Sequence, residues 1–116
     1  MNISSDKKKE LQAEYKQMKP DMGIFAVINK DCHKYFLVET KNIKGKINST
    51  SFQLRSGSHP NRELLNDWQR LGADHFQIEV LETIDYEEGK DDYRDDLELL
   101  RMIWTEKLAA QGSGFY

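Results

Sequence analysis

Residues 23–40, GIFAVINKDCHKYFLVET, constrain the fold more than any other part of the chain. Apolar residues alternate on both sides of the polar segment Asn29, Lys30, Asp31, Cys32, His33, Lys34. Period-two alternation interrupted by a short polar turn is the pattern of a β-hairpin. It predicts Ile24, Ala26 and Ile28 on one face of the first strand and Phe25 and Val27 on the other. Two strands joined this closely pair antiparallel, so the rest of the chain has a sheet to cover.

The covering elements are helical. Asp6 can cap a helix running to about Lys19, where Pro20 discourages continuation, with Leu11, Tyr15, Met18 and then Met22 recurring at helical spacing. After the hairpin, Asn42 is placed to cap a helix carrying Ile43, Ile47 and Leu54, although Gly45 and the run Asn48-Ser49-Thr50-Ser51 are poor helix formers. Residues 56–60, SGSHP, read as a loop, and residues 61–71 as a helix that turns Leu64, Leu65, Trp68 and Leu71 inward and stops at Gly72. Phe76, Ile78 and Val80 alternate with polar neighbours, which predicts a third strand over residues 75–82. The acidic residues 85–96, DYEEGKDDYRDD, form a surface loop entering a last helix over residues 92–110, with Leu97, Leu100, Trp104 and Leu108 as its seam. Residues 111–116 make a tail that is flexible except where its aromatics dock. The fold class is therefore α+β: three mainly antiparallel strands flanked by helices.

A chain of 116 residues holds one core of this size. Charged residues at 32% and apolar residues at 38% fit a globular protein, and no run approaches the length of a membrane span, so no membrane partner is expected. The single Cys32 and the absence of an apolar leader suit a cytoplasmic protein. The net charge of −3 is unevenly spread. Residues 1–70 hold 13 Lys and Arg against 8 Asp and Glu, whereas residues 71–116 hold 4 against 12. A basic first half can meet a polyanion, although either half can equally be a solvated face.

Several familiar constellations are absent. Cys32 and His33 sit in the hairpin turn, with His59 and His75 far along the chain, which is not the spacing of a zinc site or of a Cys-His nucleophile. The acidic run lacks the ligand periodicity of a calcium loop. Trp68 and Trp104 fall on apolar helix faces and read as core residues.

Gly23-Ile24-Phe25 and Phe36-Leu37-Val38 together resemble the two-part signature of the GIY-YIG nuclease domain. The likeness continues through residues 42–48, residues 61–72 with the following strand, and Trp104 to Leu108 with the closing Gly114-Phe115-Tyr116. It implies a GIY-YIG-like domain over residues 23–110, preceded by an extra N-terminal helix packed on it within residues 1–22. In that family a glutamate-held metal, a tyrosine and an arginine fork cut phosphodiester bonds. The matching positions here are altered. Phe25 and Phe36 stand where the family has tyrosines, and Val38 where it has glycine. Lys46 stands at the arginine and Arg101 at the metal-binding glutamate. Phenylalanine cannot exchange a proton, lysine lacks the bidentate fork, and a cation repels a metal.

The resemblance thus implies a domain that has lost nuclease activity and binds nucleic acid or a protein. Candidate contacts to DNA or RNA are Lys41, Lys44, Lys46, Arg55 and Arg101. Lys46 and Arg101 can share a cationic groove, or Arg101 can pair with Glu98 or Asp95 along its own helix. One alternative is a divergent endonuclease using Mg²⁺ or Mn²⁺, with Glu98 as substitute ligand and Tyr35 or His33 as base. A second is a protein-interaction domain with no nucleic-acid role.

Overall fold

Strand β1, Met22–Asn29, is buried along its whole length, which places it in the centre of the sheet with packing on both faces. A computed structural model describes residues 19–116; the helix anticipated over residues 6–19 lies outside the described residues except for Lys19 itself. Strand β2, Lys34–Thr40, pairs antiparallel with β1, setting Val27 opposite Phe36 and Phe25 opposite Val38. Asn29 shapes the turn between them, because its Oδ1 accepts the Asp31 backbone N–H at 3.0 Å. On the other side of β1 runs β3, Phe76–Ile84, also antiparallel.

Helix α1, Ile43–Ser56, begins at the expected cap: Asn42 Oδ1 accepts the Gly45 N–H at 3.0 Å. Helix α2, Arg62–Leu71, is capped in the same way by Asn61, and a 3₁₀ turn over Ala73–His75 leads into β3. Ile43 and Leu54 of α1 and Leu64 and Leu65 of α2 close over Phe25 and Val27, with Phe36, Val38 and Ile78 packed around them. Trp68 is only half-buried, its ring centroid 5.1 Å from that of Phe76.

Helix α3, Arg94–Ala110, crosses the opposite face. There Met22 packs against Leu97 and Tyr93, a core residue that the acidic run around it conceals in the sequence. Tyr93 is buried by tying its hydroxyl to the Glu87 backbone, accepting from N–H at 2.7 Å. Trp104 is half-buried, and its indole N–H donates to Glu82 on β3 at 3.1 Å.

Among the described residues the sheet departs from expectation in having four strands, not three, in the order β3-β1-β2-β4. Strand β4 is Gly114–Phe115, and it runs parallel to β2, so the sheet is mixed. Two residues are too few to carry a periodicity, which is why the tail reads as a loop from sequence. It is held by the Gly114 N–H to His33 and the Tyr116 N–H to Tyr35, and by the Tyr116 hydroxyl, which donates to Asp67 at 2.8 Å.

Candidate functional site

Strand β4 covers only Lys34 and Tyr35, so among the described residues no strand pairs with the outer side of β2 from Phe36 onwards. A groove of about 350 Å³ lies over this open stretch. Its floor is Phe36 to Glu39; Lys46, Thr50 and Gln53 of α1 form one wall, His59 and Pro60 close one end, and Arg101 of α3 stands on the other side. Residues 46, 50 and 53 share one helix face, which is why α1 presents them together.

The groove brings Lys46 and Arg101 together. Arg101 is not paired with Glu98 or Asp95, as the helix spacing allows; its Nε donates to Glu39 Oε1 at 2.9 Å. The reason is the crossing of α3 over the sheet. Residue 101 faces the strand while Glu98, one turn earlier, is exposed and does not line the groove. Among the described residues Lys46 forms no ion pair.

His59 is buried at the groove end, edge-on to Phe36 with ring centroids 5.2 Å apart. Its Nδ1 accepts the Asn61 N–H at 3.0 Å, which leaves the proton of the neutral ring on Nε2. Burial, reinforced by the nearby Lys46 charge, holds its pKa below the ordinary histidine value. In the sequence His59 is only a scattered histidine outside any zinc spacing, and Glu39 stands out in no motif. A histidine in an SGSHP loop carries no spacing signal, and Glu39 acquires meaning only once α3 is known to cross beside it.

The remaining candidates are dispersed. Phe25 is fully buried, whereas Phe36 is half-buried and lines the groove. Lys44 belongs to a second groove on the other side of α1, with Asn42, Ile47 and Val80. Lys41 and Arg55 are exposed and line neither groove. Tyr35 projects to the face opposite Phe36, and His33 is an exposed turn residue in the left-handed region, φ 52°. Among the described residues no three His, Cys, Asp or Glu gather where they can hold a metal ion. No helix among them is long and apolar enough to cross a membrane.

No protein-family model and no curated protein matches the sequence. Solved structures do. The catalytic domain of the homing endonuclease I-TevI superposes with a TM-score of 0.65 at 22% identity, covering 80% of this chain and 94% of that domain. A mutant form of the same intron-endonuclease domain superposes equally well, with a TM-score of 0.65 at 21% identity over 83% of this chain and 92% of its own. The chain thus has the fold of the catalytic domain of a GIY-YIG homing endonuclease.

Proposed function

We propose that this chain is a GIY-YIG-fold domain that grips the phosphate backbone of nucleic acid without cutting it. One observation carries the reading: Lys46 and Arg101 converge on a groove whose floor begins at Phe36, a ring with no hydroxyl. Both matched structures are endonuclease domains, which supports nucleic acid, DNA first, as the ligand class. Lys46 supplies a mobile positive charge, and Arg101 a guanidinium that exchanges Glu39 for a phosphate oxygen.

The fold family implies a divalent ion, Mg²⁺ or Mn²⁺, and the donors of this groove do not fit one. Its carboxylate, Glu39, is committed to Arg101, and the Nδ1 of its imidazole is taken by the Asn61 N–H. Glu98 stands outside the groove. Phe25 and Phe36 offer no proton, and loss of one general acid or base alone lowers a rate by roughly 10² to 10⁴.

A plasmid-nicking assay at low salt with Mg²⁺ and then Mn²⁺ tests the reading, comparing the natural protein, Glu98→Ala and the double variant Lys46→Arg/Arg101→Glu. Binding of a labelled oligonucleotide, weakening as salt rises, with no nicking by the natural protein is the expected result. Nicking by the natural protein that disappears in Glu98→Ala establishes the metal-dependent alternative instead. Absence of both binding and nicking leaves the protein-interaction alternative.

A further inference from the structure

The floor of the groove is a strand edge, and its backbone has a chemistry that the cationic side chains do not account for. In an antiparallel pair successive residues turn their N–H and C=O alternately towards the partner and away. The carbonyls of His33 and Tyr35 point away from β1, since they accept from Gly114 and Tyr116 of the tail. The same alternation turns Leu37 and Glu39 outward, into the stretch that β4 leaves uncovered. Among the described residues no backbone or side-chain group bonds to the main chain of either. β2 is half-buried where β1 is sealed, and Leu37 and Glu39 line the groove, which puts this edge beside a ligand held there.

We infer that the open edge of β2 is a strand-addition site for an extended acidic peptide, which continues along Leu37 and Glu39 the ladder that β4 begins at Lys34 and Tyr35. A sheet edge offers donors and acceptors in alternation, and a peptide backbone answers both. A phosphodiester backbone offers acceptors alone and leaves the Leu37 and Glu39 carbonyls facing its oxygens. Side-chain chemistry selects the acidic class. Lys46 on the α1 wall is unpaired among the described residues, and acidic residues on alternate positions of an added strand, which share one face, reach it; Arg101, half-exposed over the opposite face, adds to the positive field. A second copy of this chain fits less well, because pairing two β2 edges about a two-fold axis brings both cationic walls together. The inference stands whether or not the groove also takes a phosphate.

Its test uses the full chain and a fluorescein-labelled acetyl-Glu-Val-Glu-Val-Glu-Val amide, read by fluorescence anisotropy. The variant Leu37→Pro removes an outward donor without touching the β1 ladder, a position where an edge strand tolerates proline. Saturable binding by the natural protein, with slowed exchange of the Leu37 and Glu39 amides and at least about a tenfold loss in Leu37→Pro, is the expected result. Lys46→Glu weakens it as well, and a control peptide with proline in place of each valine, equal in charge but unable to complete the ladder, fails to bind. That control carries the test if Leu37→Pro does not fold. Equal binding of the two peptides overturns the inference in favour of simple charge attraction. A dimer by sedimentation that blocks the peptide overturns it in favour of a second copy.

Discussion

Gly23 is the position where one methyl group decides whether the central strand fits. A β-carbon there would lie 2.1 Å from the Glu82 carbonyl oxygen and 2.8 Å from the Thr83 Cα, both backbone atoms of β3. The crowding sits beside a register shift between Ile24 and Phe25, where β1 and β3 are drawn together. Gly23→Ala is expected to destabilise the protein by about 1–3 kcal/mol, read from urea unfolding, because backbone cannot rotate away as a side chain can. A different residue-scale lock holds the tail. The Tyr116 hydroxyl accepts from the buried Asn29 amide at 3.0 Å and donates to Asp67, so it joins hairpin, α2 and tail through one oxygen. Burial, with Asp67 beside it, pushes the Tyr116 pKa up to about 12, and the hydrogen bond from Tyr116 holds Asp67 below the usual carboxylate value. Tyr116→Phe is expected to cost about 1–3 kcal/mol, since a hydrogen bond to a charged group goes and the Asn29 amide loses its partner. The signs follow from the two shifts. The depressed Asp67 contributes above its unfolded pKa and loses that contribution as pH falls through the folded value. The raised Tyr116 contributes below its unfolded pKa and loses its part as pH rises through about 12. The deficit of Tyr116→Phe is therefore largest near neutral pH and shrinks towards both extremes, which thermal melts of the two proteins across pH check.

Elements with a strong local signal were legible from sequence, and those defined by a partner were not. The hairpin, the caps at Asn42 and Asn61 and the third strand follow from alternation and capping chemistry, and they recur in the structure within two residues of their expected ends. Gly45 argues against α1 by propensity, yet it is what the cap needs: a β-carbon there would lie 2.6 Å from the Asn42 side-chain nitrogen. Asn42→Ala is accordingly expected to lower stability by about 1 kcal/mol, measurable by denaturant titration, with the loss confined to α1 in hydrogen exchange. Strand β4 was invisible because its only warrant is the edge it meets. The same holds for the candidate site. Lys46 could be placed by the resemblance to the nuclease motif, whereas the Arg101–Glu39 pair depends on a helix crossing a strand, a relation that no spacing within α3 encodes. Local periodicity offered Arg101 partners on its own helix, and tertiary placement chose another.

At the scale of the whole molecule the cations divide into groups that a ligand meets in order of its length. Lys46 and Arg101 are within reach of a ligand the size of the groove; Lys44 lies in the other groove beside α1, and Lys41 and Arg55 are exposed beyond both. The carboxylates of the second half work against any longer reach, because residues 71–116 carry 12 Asp and Glu to 4 Lys and Arg. A polyanion held only in the groove therefore displaces few counterions, and one that wraps α1 displaces more. The two arrangements differ in a measurable slope. For a single strand, each phosphate neutralised by the protein adds about −0.7 to the dependence of log K on log salt. With a short oligonucleotide, Lys46→Gln is expected to reduce the slope by about that amount and Lys44→Gln to leave it unchanged; with a long one, both reduce it. Salt titrations at two oligonucleotide lengths read this directly. Equal responses to the two substitutions at the short length would mean that the contact surface is the diffuse basic half of the chain rather than the groove at the edge of β2.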